Sequence, residues 1–243
     1  MDLIKQTFWD KKYEKSAVVP QIPPKSAIFE WIDTVCSIKK EGTCLEIGVF
    51  PGGYINLFGK LGYTISGIDL TPRVVELNEI FDSFNYSVGA FMQQDFFDSP
   101  PDQKYDIVYS MGFIEHFTDY QSVIAKHCDL VADHGVLLIT VPNFRGKVQH
   151  FLHKLLDKEN LKRHNVASMN PKEWEEVLVE NRFEVIRQGY IGKFDFWTGI
   201  KNKYVRISVH RIFKWIITPI FRLFFSKPSP SYSPICGIIA KKL

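Results

Sequence analysis

The run Cys44-Leu-Glu-Ile-Gly-Val-Phe-Pro-Gly-Gly53 constrains this chain more than any other stretch. A short apolar strand carries one acidic residue, Glu46, and runs into a glycine-punctuated turn. Gly48 lets backbone approach a ligand with no side chain in the way, and Gly52 and Gly53 open the next helix with free N–H groups. Such a turn builds a pocket for a nucleotide-like ligand, and Glu46 puts a negative charge on its floor. That charge suits a cationic or hydroxyl-rich ligand and would repel a pyrophosphate.

With 243 residues the chain has room for one sizeable α/β domain with insertions and is too short for two full ones. A hydrophobic share of 45% against 23% charged residues is that of an ordinary globular protein and excludes general disorder. Cys36, Cys44, Cys128 and Cys236 are far apart and form no CxxC pair, and the first residues, MDLIKQTFWDKK, contain no apolar signal segment. The expectation is a cytoplasmic protein with reduced thiols. Charge is unevenly spread: from Lys193 to Leu243 ten Lys and Arg face Asp195 alone, a charge of +9, so residues 1–192 carry −6 of the overall +3. A basic end on an acidic body favours an anionic partner.

Apolar strand-like runs alternate with helix-like segments from Thr43 onward, the pattern of parallel strands joined by crossover helices. Strands are predicted at Thr43–Ile47, Thr64–Leu70, Ala90–Gln94, Tyr105–Ser110, Gly135–Val141, Phe183–Gly189 and Ile235–Lys241. Helices are predicted at Ser26–Lys39, Tyr54–Leu61, Pro72–Phe84 with Thr71 as N-cap, Tyr120–Val131, and Pro171–Asn181 with Asn170 as N-cap. The expected fold is α/β: a Rossmann-like, seven-stranded, mostly parallel sheet with helices on both faces and the last strand antiparallel. An N-terminal arm and helix (1–40) precede it, and insertions fall at about 143–169 and 193–234, where α/β folds place substrate-binding loops.

Asp69 ends the second strand 21 positions after Gly48, where a carboxylate can accept hydrogen bonds from both hydroxyls of a ribose. Gly48-Val-Phe-Pro-Gly-Gly53 does not supply the GxGxxG spacing of a dinucleotide site, so an NAD oxidoreductase ranks last. Asp95 closes the third strand, where it either accepts the exocyclic amine of an adenine, with Phe96 packed on the ring, or merely shapes a turn. Beside Glu46 and Asp69 the first reading gains weight. Three carboxylates around one ligand also balance a sulfonium cation.

On these residues the chain resembles the class I S-adenosylmethionine-dependent methyltransferases, nearest to the small-molecule enzymes of type 11, type 23 and ubiquinone biosynthesis. The resemblance lies in Leu45-Glu-Ile-Gly-Val-Phe-Pro-Gly-Gly53, Gly67-Ile-Asp-Leu70, Gln94-Asp-Phe96 and Tyr105-Asp-Ile-Val-Tyr-Ser-Met-Gly-Phe-Ile-Glu-His-Phe117. It implies that Glu46, Gly48 and Gly52 line the methionine end of the cofactor, Asp69 and Leu70 its ribose, Asp95 and Phe96 its adenine, and Ser110 the region next to the sulfonium. Phe8-Trp-Asp-Lys-Lys-Tyr13 is similar to the family's arm, which implies that Trp9 and Tyr13 close over the cofactor. Phe50 departs from the pattern, standing where many members have a second glycine.

Methyl transfer is an in-line displacement, so the protein must align the acceptor atom and keep water out. An alcohol acceptor must also lose a proton, and a histidine with a near-neutral pKa suits that task. His116 is the first candidate, against a plain turn-capping role, with Glu115 either orienting it or solvated; His164 in the first insertion is the second. His150 and His153 have HxxH spacing, yet no supporting ligand is evident and no metal site is expected. Residues 204–225 mix Arg206, His210, Lys214 and Arg222 with large apolar side chains, the mark of a basic amphipathic element that rests on an anionic membrane, covers the site, pairs with a second copy as a homodimer, or packs on the domain. The expected function is methylation, at oxygen, of a small-molecule, glycan-linked or lipid-linked acceptor. The alternatives are a membrane- or partner-binding module with a vestigial pocket, or a nucleic-acid methyltransferase; the latter is disfavoured by the acidic body and by Ser110-Met-Gly-Phe113 after the fourth strand, and nucleic acid is not expected as a partner.

Overall fold

The structure, a computed structural model, describes residues 4, 6–14, 20–97, 103–198, 200 and 202–243; the rest of the expected N-terminal arm lies outside them. In chain order come α1 (Gln6–Tyr13), α2 (Ala27–Ile38), β1 (Thr43–Ile47), α3 (Gly53–Lys60), β2 (Thr64–Asp69), α4 (Glu76–Ser83), β3 (Val88–Gln93), β4 (Tyr105–Met111), α5 (Tyr120–Asp129) and β5 (Val131–Pro142). They are followed by α6 (Lys147–Leu156), α7 (Lys158–Leu161), α8 (Pro171–Glu180), β6 (Phe183–Ile191), α9 (Lys203–Ile212), α10 (Thr218–Phe224) and β7 (Ile235–Lys242).

The seven strands form one sheet in the order β3-β2-β1-β4-β5-β7-β6, parallel except for β7, which runs antiparallel to both neighbours. This is the Rossmann-like arrangement expected. Strands covered on both faces read as continuous apolar runs, and β5 shows it: Val136 to Val141 are all buried. One face packs on α2, α3 and α4 through Trp31, Ile32, Ile55, Phe58, Leu77 and Phe81. The other packs on α5 and α8 through Val123, Ile124, Trp174 and Leu178. Trp174 is fully buried, and its indole N–H donates to the Ser168 carbonyl at 2.7 Å.

Two local expectations are corrected. The predicted helix from Pro72 to Phe84 opens with a 3-10 turn at Pro72–Val75, in which the Val74 N–H bonds the Thr71 carbonyl at 3.2 Å, and the Thr71 side chain makes no cap bond. β5 begins at Val131, not at Gly135, because Ala132 to Gly135, with Asp133 and His134 exposed, form a bulge that reads as a turn in sequence. Asn170 likewise caps α8 without a side-chain bond to the helix backbone, its amide donating instead to Glu173 at 2.7 Å.

The first insertion holds α6 and α7. The second holds α9 and α10, joined through a π-helical stretch at Phe213–Ile217 into one continuous element. Its inner side, with Phe213, Ile217 and Phe221, packs with Phe194 and Phe196 against Val148 and Leu152 of α6.

Trp174→Ala should lower unfolding stability by about 3–5 kcal/mol, since the site lies between rigid layers that cannot close the cavity. Urea denaturation followed by fluorescence or circular dichroism measures it.

Candidate active site

The C-terminal ends of β1, β2, β3 and β4 open into a cavity of about 310 Å³, at the point where strand order reverses between β1 and β4. Each end contributes a short segment: Glu46 to Val49, Ile68 to Leu70, Gln94 to Phe97, and Met111 to Phe113. Helix α1 covers it, with Trp9, Lys12 and Tyr13 in the lining.

Glu46 is buried. Its Oε2 accepts the Ile55 N–H at the start of α3 (3.1 Å) and the Tyr109 hydroxyl (2.8 Å). Burial pushes its carboxyl up to about 8, against the downward pull of those two hydrogen bonds. Gly48 has φ +72, and a Cβ there would stand 2.9 Å from the Phe113 ring, so only glycine fits between the two strand ends. Asp69 accepts the Phe50 N–H through Oδ2 and the Thr71 N–H through Oδ1, both at 3.0 Å, and the Leu70 N–H bonds the same carboxylate. Burial raises its pKa despite those bonds. Asp95 does two things at once: its Oδ1 takes the Phe97 N–H at 2.8 Å as a turn aspartate does, and it lines the cavity beside the buried Phe96.

The expected residues Trp9, Tyr13, Glu46, Gly48, Asp69, Leu70, Asp95, Phe96 and His116 all line the cavity. Gly52, Ser110, Glu115 and His164 do not. Gly52, at φ +88, shapes the turn and approaches Leu77 and Phe81. Ser110, expected beside the sulfonium, is fully buried with its hydroxyl 3.1 Å from His127 Nε2; successive strand residues face opposite ways, and Met111 takes the cavity position.

His116 sits at the far end, its ring edge-on to Trp9 (5.3 Å) and tilted against His164 (4.9 Å). The near-neutral pKa expected of it is corrected: burial first, then the neighbouring His164, hold the imidazole down to about 3. It stays neutral and is a weak base. Glu115 is buried rather than solvated, and burial lifts its carboxyl to about 8. Burial likewise brings His164 down to about 4. His150 and His153 do share α6: His150 Nδ1 is 3.2 Å from the Phe144 carbonyl, and the buried His153 lies 3.7 Å from Asp157.

Sequence reasoning missed Lys12, Gln94, Gly112 and Phe113 in the lining. Gln94 Oε1 is buried with no partner, an acceptor waiting for a donor from a ligand. Its signal was present, since it stands directly before Asp95 at a strand end. Lys12, whose ammonium pKa is lowered by burial and then by Arg163, lies over the Trp9 ring at 4.5 Å. Phe50 lines the cavity too, with its ring 5.0 Å from Tyr13 and 5.4 Å from the Arg73 guanidinium.

A family model described as methyltransferase domain, of type 23, matches residues 25–188. The chain belongs to that family: it is an S-adenosylmethionine-dependent methyltransferase. A search of curated sequences finds no matching relative. Among solved structures, magnesium protoporphyrin IX methyltransferase from Synechocystis PCC 6803 with bound S-adenosylhomocysteine is similar in fold, with a TM-score of 0.58, 13% identity and coverage of 98% of this chain and 95% of that one. Geranyl diphosphate C-methyltransferase from Streptomyces coelicolor A3(2), in complex with Mg2+, geranyl diphosphate and S-adenosylhomocysteine, has a TM-score of 0.60 at 11% identity, covering 89% of this chain and 79% of that one. The cavity suits the cofactor: three carboxylates in its lining, an unpartnered amide oxygen and a side-chain-free approach at Gly48 meet a ligand with hydroxyls, an amine and a positive centre.

Glu46 supplies a pH test. Its folded pKa of about 8 lies above the ordinary 4.5, so between those values the folded chain keeps a proton that the unfolded chain sheds, and stability falls as pH rises. Glu46→Gln should therefore gain on the wild type across that window, at up to about 1.4 kcal/mol per pH unit, and level off outside it. Paired urea melts of the cofactor-free proteins give the difference curve.

Proposed function

We propose that the chain transfers a methyl group to an oxygen of a small-molecule, glycan-linked or lipid-linked acceptor, the lipid-linked class fitting best. What carries the methyl-transfer part is the convergence of Glu46, Asp69 and Asp95 from three successive strand ends on one cavity. In this reading Glu46 and Gly48 hold the methionine end, with Gly52 shaping the turn that presents them. Asp69 and Leu70 hold the ribose, and Gln94, Asp95 and Phe96 the adenine, while Trp9 and Tyr13 cover the site. When bound, S-adenosylmethionine supplies an electrophilic methyl carbon on a positively charged sulfur. The acceptor belongs beside Gly112, Phe113 and His116, with Glu115 and His164 behind. These residues would hold the acceptor oxygen in line with that methyl carbon, and the acceptor's hydroxyl proton would pass to solvent. Apolar walls at Phe96, Phe97, Phe113 and Phe117 exclude water from that line.

The lipid-linked class follows from the outer face of α9 and α10. Tyr204, Trp215, Leu223 and Phe224 are each more than 70% exposed, and Arg206, Arg211 and Lys214 are exposed on the same element. Apolar anchors among cations match the boundary of an anionic bilayer. No helix among the described residues is long and apolar enough to cross a membrane, so contact would be at the surface.

Calorimetry with S-adenosylhomocysteine tests the core of this reading; absence of binding at millimolar ligand overturns it. Asp69→Ala should weaken that binding by roughly 1–3 kcal/mol through unpaired ribose hydroxyls. For the acceptor class, vesicles with phosphatidylserine should sediment the full chain, and high salt should release it. Replacing Trp215 and Leu223 by Ala should cut that binding roughly tenfold or more, whereas equal sedimentation on uncharged vesicles would exclude the anionic surface.

A further inference from the structure

Glu115, His116 and His164 come together from two distant parts of the chain, each offering a ligand atom, and these atoms all lie within 4.8 Å of one another. Two histidines and one carboxylate are a complete set for one face of a divalent metal ion. Three further observations set this group apart from a chance meeting of polar side chains.

The first is the state of the carboxylate. Glu115 is 1% exposed, its Oε1 is 3.8 Å from His116 Nε2, and its Oε2 has no hydrogen-bond partner. A buried carboxylate oxygen without a donor is costly unless a cation completes it. The second is the orientation of the rings. His164 Nδ1 is 2.7 Å from the Asn160 carbonyl, and His116 Nδ1 is 3.4 Å from the Arg163 carbonyl. Backbone carbonyls at Nδ1 put the ring protons there and leave each Nε2 lone pair free, as is usual for metal-binding histidines. The third is access. His116 and Gly112 both line the cavity, and a Cβ at Gly112 would stand 3.2 Å from Glu115 Oε1. The missing side chain leaves the carboxylate just beneath the cavity wall.

We propose that Glu115, His116 and His164 bind a divalent transition-metal ion at the acceptor end of the cavity, with open positions that take an oxygen of the acceptor. Metal–nitrogen and metal–oxygen bonds of about 2.0–2.2 Å require the three ligand atoms to draw together by roughly 1 Å. The inference rests on the methyl-transfer reading for its chemistry and gives His116 a different part in it. The ion would lower the pKa of an acceptor hydroxyl, whose proton leaves to solvent before its oxygen attacks. The acceptors that profit most carry two neighbouring oxygens, such as a diol or a catechol, which can occupy two open positions at once. Two cations stand nearby and act on His116: Lys12, which lies over Trp9, and Arg163, which stacks on Phe8 at 4.7 Å and donates to Asn160 Oδ1 at 2.9 Å.

The test uses the full chain stripped with EDTA and titrated with Co2+, read by ligand-field absorption and by metal content after desalting. The expected result is one Co2+ per chain, displaced by Zn2+, with uptake weakened roughly tenfold or more in His164→Ala and in Glu115→Gln. No uptake by the wild type overturns the proposal and needs no variant; undiminished uptake in both variants, with melting curves showing them folded, overturns it as well. Calorimetry with S-adenosylhomocysteine on the same stripped samples keeps the two readings apart. Cofactor binding without metal uptake defeats this inference alone, and metal uptake without cofactor binding defeats the methyl-transfer reading alone.

Discussion

The buried carboxylate of Glu46 ties the site together. It joins β1 to the first turn of α3 through Ile55 and to β4 through Tyr109, so the floor of the cavity and two of its walls share one group. Taking a carboxylate out of water is unfavourable, and its raised pKa measures that cost. The helix N-terminus offsets part of it, since unpaired N–H groups and the helix dipole favour negative charge. What remains is met by a proton, which the folded chain keeps on Glu46 up to a pH of about 8. A cationic centre placed beside it would favour release of that proton.

Around that floor the strand ends act as a set. Asp69 gives its two oxygens to the turns on either side, at Phe50 and Thr71, and so fixes the loop after β1 and the start of the segment before α4 in one step. The acceptor side is built differently. Phe96, Phe113 and Phe117 meet in edge-on and tilted contacts, and a second series of rings runs from Trp9 through His116 and His164 to Phe144, which packs on Trp197 of the second insertion. Hydrogen bonds fix the end around Glu46 and Asp69, and aromatic packing shapes the end around Phe113 and Phe117.

The fold was legible because buried parallel strands leave continuous apolar runs, and Thr43–Ile47 needed no tertiary information to be placed. The carboxylate-lined part of the cavity was legible for a related reason: Glu46, Asp69 and Asp95 stand at strand ends, where spacing along the chain translates directly into position. Ser110 shows the limit, since one residue of strand alternation decides between cavity and core, and Met111 took the cavity position. The histidines show a second limit. The HxxH spacing of His150 and His153 drew attention to a helix face, while the meeting of Glu115 and His116 with His164 joins two distant parts of the chain and depends on how the first insertion folds back. No local pattern encodes that return. The pKa of His116 was hidden for the same reason, because burial arises from α1 and the insertion together.

Phe50, the residue that departs from the family's glycine, stands between the cavity and α1, touching Tyr13 on one side and Arg73 on the other. Arg73 in turn donates to the Tyr13 carbonyl at 2.6 Å. The covering helix is thus latched at its C-terminal end to the floor of the site. Where a glycine would leave that helix loosely tethered, a latch slows its departure. Any ligand beneath α1 is thereby held by the same contacts, at Phe50 and Arg73, that hold the helix.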